Sequence, residues 1–295
     1  MPRVYASLPL SGPAGNAGRE LLRGAELALE GAGAESMELV ALDTGGPERV
    51  GRAEDAARQA SADPSAVAYL GDFHSDQVAA SSRILGAAGL LQVAPLATWV
   101  ELGGPTLIRL VPDDRVGAGA IADWLVEARV SELLVVHDHD DGYGIPVGAM
   151  CVEAARSRGL VVRSRPVWNH DERAADDLGA AEAVLYAGVA GSGAVGLWHE
   201  LHAANRHMWL LGTEGVAVAW LAEALHPAAA ERTRLFVAPT APLGSYGHDA
   251  MALILEAVAE AEDDRQAIVD AARARHTPPT KYGCLAVVGG ELVSA

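Results

Sequence analysis

The fold class can be read from residues 66–83, AVAYLGDFHSDQVAASSR. Its first six residues, 66–71, form an uninterrupted run of small and apolar side chains, as expected of a short strand that is buried on both faces. A polar turn follows, and residues 76–83 then read as the beginning of a helix. A strand that leads directly into a helix is half of the βαβ unit from which parallel sheets are built.

The same alternation of apolar strands and amphipathic helices continues along the whole chain, which predicts an α/β protein with parallel sheets covered by helices on both faces. The predicted strands are 4–10, 38–43, 66–70, 90–95 and 106–111, then 132–137, 160–167, 183–187, 208–211 and 235–239. The predicted helices include 18–30, 47–62, 143–157, 193–204, 247–262 and 265–275. A hairpin is expected at the end of the chain, with strands 284–288 and 291–293 joined by Gly289-Gly290.

Composition sets limits on the function. The chain has 295 residues, enough for two domains of about 150 residues, and half of them are hydrophobic, which excludes disorder. Its formal charge of −17 repels nucleic acid and anionic lipid. No apolar run is long enough to span a bilayer, and residues 1–3 lead directly into the first strand without a secretory core. We therefore expect that a signal has been removed or that the protein stays inside the cell.

Three polar residues stand where predicted strands end: Ser75, Thr98 and Glu214. In open parallel sheets, ligands bind at the carboxyl ends of the strands. The Ser75 hydroxyl and the amides of the following helix suit a carboxylate, whereas Glu214 suits an ammonium group. Because Glu214 belongs to the second series of strands and the other two to the first, a ligand that touches all three would bridge two lobes, and bridging implies closure. The pattern indicates a receptor for a zwitterion.

Each of these residues also has a structural interpretation when taken alone. Ser75 could be a helix N-cap, Thr98 could cap a short helix that includes Trp99 and Glu101, and Glu214 could close a loop. Only their joint placement favours binding.

Further motifs carry a family resemblance over most of the chain. They are Leu10-Ser11-Gly12-Pro13, Gly18, Gly24-Ala25, Val93 to Thr98, Ile108-Arg109, Val136-His137-Asp138, Tyr143-Gly144 and Gly212-Thr213-Glu214-Gly215. With them the chain resembles the Leu/Ile/Val-binding proteins and related solute receptors of ABC importers, which have the type I periplasmic-binding-protein fold. The resemblance implies that Ser75 and Thr98 hold the ligand carboxylate, that Glu214 holds the amine and that Leu96 contributes backbone groups. Tyr143 is also assigned to the binding site by this resemblance.

The implied fold is two doubly wound parallel-sheet lobes joined by a multi-strand hinge. Residues 1–111 and 240–281 are expected in lobe 1, and residues 112–239 and 282–295 in lobe 2.

The sequence departs from the family where a ligand side chain would lie. Ala17 stands where the family often has tyrosine, and Val189 replaces another pocket aromatic. Phe73 and His74 match pocket positions that are commonly aliphatic or cysteine. The segment between Pro239 and His248 is shorter than usual. These departures predict a rebuilt side-chain pocket and leave open whether the ligand is branched, aromatic or polar.

The implied function is the substrate-binding protein of an ABC-type importer, which binds a small amino acid in the cleft and closes by a hinge rotation. Its expected partners are the ligand and a membrane permease, and its expected location is periplasmic or extracellular. The main alternative is a cytoplasmic sensor of amino acids or amides, which would use the same closure to regulate a partner.

A third alternative is a nucleotide-dependent enzyme, because residues 191–196 read GSGAVG and Glu214 follows about 20 residues later. Against it, the glycines begin several residues after the strand, and no nucleophile with a nearby base can be named. Ser11-Gly12-Pro13 lacks GxSxG surroundings, and Cys151 and Cys284 have no CxxC context. We therefore expect no enzyme activity and no cofactor.

Metal binding is not expected either. The histidines and aspartates of residues 137–141 are interpreted as an acidic turn. His199, His202 and His207 do not have the spacing of the HExxH motif, so we interpret them as surface residues.

Overall fold

The structure is a computed structural model, and the chain forms two compact units. Unit 1 comprises residues 1–113 and 241–280, and unit 2 comprises residues 114–240 and 281–295. The chain therefore passes from one unit to the other three times. The structure describes residues 1–34, 36–46, 49–138, 142–167, 178–189, 192–238, 241–261 and 264–295.

The elements follow one another in α/β order. They are β1 (Arg3–Leu8), α1 (Gly15–Gly31), β2 (Glu38–Asp43), α2 (Val50–Ala62), β3 (Ala66–Gly71), α3 (Ser75–Ala87), β4 (Leu91–Ala94), β5 (Leu107–Arg109), α4 (Asp114–Glu127), β6 (Glu132–Asp138), α5 (Gly144–Ser157), β7 (Val161–Val167), β8 (Ala183–Ala187), α6 (Ser192–Ala204), β9 (Trp209–Gly212), a 3-10 helix (Glu214–Val216), α7 (Ala219–Ala224), α8 (Pro227–Glu231), β10 (Thr233–Val237), α9 (Leu243–Ala261), α10 (Arg265–Arg275), β11 (Gly283–Val288) and β12 (Glu291–Ser294).

Unit 1 is built on a parallel sheet of five strands in the order β2-β1-β3-β4-β5. The strands β3 and β4 are buried along their whole length, which explains why β3 is continuously apolar and why β4 is apolar apart from Gln92. Helices α1 and α9 pack closely because glycines remove side chains at their crossing. A Cβ atom on Gly24 would lie 1.8 Å from the Gly244 carbonyl oxygen, and one on Gly247 would lie 1.9 Å from that of Leu21.

Unit 2 contains a sheet of seven strands in the order β12-β11-β10-β9-β8-β6-β7. Strands β6 to β10 are parallel, and β11 and β12 add an antiparallel hairpin at one edge. Trp198 of α6 is fully buried on one face of this sheet, in a core with Leu210 and Leu235. A second core forms on the other face, around Leu125 of α4.

The predicted fold class is confirmed, and so is the terminal hairpin. No bounds are predicted from the sequence for helices α4, α7 and α8, and the predicted start of α9 is Gly247 instead of Leu243. Helix α4 begins directly after Val111-Pro112-Asp113, where the sequence analysis places the boundary between the two lobes. Within the described residues, no helix is both long enough and apolar enough to cross a membrane.

Candidate functional site

Ser75 and Thr98 lie side by side in unit 1. Strands β3 and β4 are parallel neighbours, so the turns that follow them lie at the same edge of the sheet. Ser75 is the first residue of α3, and its Oγ accepts hydrogen bonds from the backbone N–H of Thr98 at 3.1 Å and of Trp99 at 3.4 Å. These bonds tie the two turns together.

The hydrogen bonds of Ser75 differ from those of a helix cap. The N-cap position of α3 is His74, and no side chain caps the helix there. Because Ser75 Oγ accepts two N–H groups from the neighbouring turn, its own proton is directed elsewhere and suits an external carboxylate. Thr98, which is buried, lies in a turn and not at the start of a short helix.

One of the helix-start amides is already engaged. The Asp76 carboxylate accepts a hydrogen bond from the Gln77 N–H at 2.8 Å, and the Val78 N–H donates to the His74 carbonyl. The amides of Ser75 and Asp76 precede this first helical hydrogen bond, so they are the ones that suit an anion at this end of α3.

The predicted side-chain pocket residues of unit 1 occupy the same edge of the sheet. Phe73 and His74 precede α3, and their rings meet edge to face with centroids 4.8 Å apart. Phe73 and Leu96 are partly buried and pack on the core of unit 1. Ala17 lies half-buried in the first turn of α1, which follows β1, the neighbour of β3.

Asp72 is a feature of unit 1 that the sequence analysis missed. It is fully buried, and its Oδ1 accepts hydrogen bonds from Ser7 Oγ at 2.5 Å and from Tyr69 OH at 3.1 Å. Burial raises the pKa of the Asp72 carboxyl to about 6, although these hydrogen bonds favour the charged form. The available signal was an acidic residue directly after a continuous apolar strand.

In unit 2, Glu214 lies just beyond the carboxyl end of β9 and begins the 3-10 helix. Its Oε2 accepts hydrogen bonds from the Ala238 N–H and from Tyr282 OH, both at 3.2 Å. Ala238 follows the neighbouring strand β10, and Tyr282 precedes β11, which pairs with β10 in antiparallel orientation. Three strand ends thus fix the position of the carboxylate.

The glycines that flank this carboxylate have a steric function. A Cβ atom on Gly215 would lie 2.3 Å from the Gly188 carbonyl oxygen and 2.9 Å from the Tyr143 ring. The segment after β9 can therefore approach the segment after β8 only because residue 215 has no side chain. Val189 comes next after Gly188, and its side chain is 53% exposed.

The surroundings of Glu214 are acidic and rich in hydroxyl groups. The pKa values of the Tyr143 and Tyr282 phenols lie well above their usual range, first because of burial and then because of the negative charges of Glu214 and Asp114. Both phenols therefore remain protonated. Thr213 joins them in lining a cavity of about 10 Å³, the size of one water molecule. This arrangement favours a bound cation over a bound anion.

The rival motifs receive no support from the described residues. Gly191 of the glycine motif and residues 139–141 of the acidic turn lie outside the described residues, as do Pro47 and Pro239. Within the described residues, no group of histidine, cysteine and acidic side chains could hold a metal ion. His199 Nε2 accepts a hydrogen bond from the His226 N–H at 2.9 Å. Cys151 and Cys284 are free thiols, the first buried and the second partly exposed.

Comparisons with known proteins agree with this architecture. Residues 6–233 match the family model described as periplasmic binding protein. No curated protein matches the chain.

Solved structures that resemble the chain share its fold at low sequence identity. The leucine-binding protein LivK from Thermotoga maritima is 18% identical with a TM-score of 0.80, over 100% of this chain and 98% of that one. An ABC transporter substrate-binding protein from Desulfitobacterium hafniense, in complex with Leu, is 17% identical with a TM-score of 0.81, over 100% and 99%. A solute-binding protein from R. palustris, in complex with benzoate, is 18% identical with a TM-score of 0.76, over 99% and 94%.

Proposed function

Because the chain belongs to the periplasmic binding protein family, we propose that it is the receptor of an ABC importer and binds a small amino acid without making or breaking a covalent bond. Ser75 and Thr98 of unit 1 hold the ligand carboxylate, and Glu214 of unit 2 holds its ammonium group. The receptor acts outside the cytoplasm and delivers the ligand to a membrane permease.

The observation that carries this proposal is the hydrogen bonding of Ser75. A serine that only capped α3 would accept a hydrogen bond from an amide of its own helix. Ser75 Oγ instead accepts the N–H groups of Thr98 and Trp99, which leaves its proton for a ligand oxygen. The opposite electrostatic preference of the Glu214 site in unit 2 supports an ammonium group there.

The remaining ligand-binding assignments follow the same division. Phe73, His74, Leu96 and Ala17 of unit 1, with Tyr143 and Val189 of unit 2, surround the ligand side chain or its backbone. The aromatic pair of Phe73 and His74 sits next to Ser75 in sequence and favours a ligand with a flat or branched apolar group.

Isothermal titration calorimetry with the twenty amino acids and benzoate tests the proposal. For the amino acid that binds, Glu214→Gln should weaken binding tenfold or more, because a hydrogen bond to a charged group contributes about 1.5 to 3 kcal/mol. Glutamine keeps an oxygen for Ala238 N–H and Tyr282 OH, so the fold should be retained. Glu223→Gln, at an exposed glutamate of the same unit, is the matched control.

The two ends of the ligand can be tested separately. Ser75→Ala should weaken binding of the amino acid more than binding of its amide, because only the amino acid has a carboxylate. Glu214→Gln should leave any binding of benzoate unchanged, because benzoate has no ammonium group. If Glu214→Gln binds the amino acid as well as the unsubstituted protein does, the proposal is refuted.

A further inference from the structure

Unit 2 contains a cavity of about 240 Å³ at the amino ends of its parallel strands, the edge of the sheet opposite to Glu214. Its lining comes from segments that precede four strands. Arg129 lies before β6, Glu182 before β8, His207 before β9 and Arg232 before β10. None of these residues takes part in the proposed amino acid site.

Arg232 is held in place but incompletely satisfied. Its guanidinium lies 3.8 Å from the centroid of the Trp209 ring, and its Nη2 donates a hydrogen bond to the His207 carbonyl oxygen. Its Nε is buried and out of reach of a ligand, but its Nη1 makes no hydrogen bond within the described part of the chain and is not buried. A fixed guanidinium with a spare donor is a characteristic means of binding a carboxylate or phosphate oxygen.

Arg129 adds a second guanidinium from a backbone position that normally favours glycine. Its φ is +59°, in the left-handed region, at the second residue after the end of α4. The Arg129 N–H donates to the carbonyl three residues earlier, and the N–H of the next residue donates to the carbonyl five residues before it. Helices α1, α3 and α5 end with the same two hydrogen bonds, and the residues equivalent to Arg129 there are Gly33, Gly89 and Gly159. Arginine thus replaces glycine only at the one of these four helix ends that lines the cavity.

The charges around the cavity are unbalanced. Arg206 and Arg234 lie nearby in sequence, and the Arg234 guanidinium is 5.0 Å from the Trp209 centroid. Among the described residues, no carboxylate lies within ion-pair distance of Arg129, Arg206, Arg232 or Arg234. The pKa of the Arg232 guanidinium is lowered first by burial and then by the positive charge of Arg234.

One carboxylate does line the cavity, that of Glu182. Its Oε2 accepts hydrogen bonds from the N–H and Oγ of Ser131 at 2.6 and 2.7 Å. It is therefore engaged with the backbone before β6, and Arg129 and Arg232 retain their donors. The cavity is a local positive site on a protein whose formal charge is −17.

We propose that this cavity is a second ligand site, which binds a small oxyanion through the guanidinium groups of Arg129 and Arg232. The bound group is a phosphate or a carboxylate, because each presents at least two acceptor oxygens that can receive parallel hydrogen bonds from one guanidinium group. Trp209 holds Arg232 in its orientation and is a positioning residue. The site is independent of the proposed amino acid site.

The test is calorimetric titration of the whole protein with inorganic phosphate and, separately, with citrate, while sodium chloride keeps the ionic strength constant. Saturable binding of one anion per chain is expected, and the preferred titrant identifies the bound group as phosphate or carboxylate. Arg129→Gly and Arg232→Gln should each weaken this binding tenfold or more. Arg129→Gly should leave the melting temperature unchanged or raised, because glycine relieves the left-handed backbone, and it should leave amino acid binding unchanged.

A double variant supplies the matched control. Adding Gly159→Arg to Arg129→Gly restores the net charge and places arginine at an equivalent left-handed position, where a new Cβ atom would meet nothing within 4 Å. This variant should bind the anion as poorly as Arg129→Gly alone. If the double variant recovers binding, the anion responds to net charge and is an adventitious ion only, and the proposal is overturned. Absence of saturable binding of both anions to the unsubstituted protein would also overturn it.

Discussion

The buried carboxyl of Asp72 should make the stability of unit 1 fall as the pH rises. Its pKa is about 6 in the folded chain and 3.8 in the unfolded one, so between these values the folded state binds more protons. Stability is therefore full below the unfolded pKa and is lost as the pH passes through the folded pKa. At 1.36 kcal/mol per pH unit, the displacement from 3.8 to about 6 corresponds to about 3 kcal/mol.

Replacement of Asp72 by asparagine removes this titration. Urea unfolding followed by circular dichroism should be measured for both proteins at about pH 4 and about pH 7.5. The asparagine amide also changes the free energy of unfolding by an amount that does not depend on pH, because its hydrogen bonds differ from those of the carboxyl. Because pH 4 already lies just above the unfolded pKa, the difference in free energy of unfolding between Asp72→Asn and the unsubstituted protein should shift by about 2 kcal/mol of the total of about 3 kcal/mol in favour of the variant at the higher pH.

Asp63 of the same unit provides a control of opposite sign. Its pKa is lowered by hydrogen bonds from the Ser65 N–H and Tyr5 OH and by Arg3. Its contribution to stability is therefore present above the unfolded pKa and lost as the pH falls through the folded pKa. Relative to the unsubstituted protein, Asp63→Asn should be destabilised more at the higher pH than at the lower pH. A pH-independent difference for Asp72→Asn would refute the raised pKa of the Asp72 carboxyl.

Two further expectations concern packing and reactivity. Gly247→Ala should lower the free energy of unfolding by about 1 to 3 kcal/mol, because the new Cβ atom would lie 1.9 Å from the Leu21 carbonyl oxygen. Gly244→Ala is the control: its new Cβ atom meets the nearest atom at 3.5 Å, so the free energy of unfolding should change little. Equal effects of the two substitutions would contradict the close helix crossing. Iodoacetamide should modify Cys284 before Cys151 in the folded protein and both in urea, because Cys151 is 1% exposed and burial raises the pKa of its thiol to about 12. The reverse order, read by mass spectrometry of peptides, would show that Cys151 is accessible.

The sequence predicted those features that depend on one strand and the turn after it. Ser75 and Thr98 could be placed together because consecutive βα units usually form neighbouring parallel strands, as β3 and β4 do. For Asp72 the local signal is an acidic residue directly after an apolar strand, but its hydrogen-bond partner Ser7 belongs to another strand and is not indicated by any local pattern. The contact between Tyr282 and Glu214 spans 68 residues and exists because β11 pairs in antiparallel orientation with β10. Such contacts arise from strand order, which local patterns do not encode.

The two units are not interchangeable as partners for a zwitterion. At the Ser75 edge of unit 1, a neutral hydroxyl and helix-start amides offer donors, and the charged acid closest to them in sequence, Asp76, is engaged by the Gln77 N–H. At the Glu214 edge of unit 2, burial and then the negative charges of Glu214 and Asp114 raise the pKa values of both phenols, and the same charges would repel a ligand carboxylate placed there. An ammonium group would instead be attracted to them. The ligand orientation that we propose is therefore the one that the electrostatics of each unit, taken alone, favours. An amino acid whose amine is blocked should lose the attraction of unit 2 while keeping the donors of unit 1.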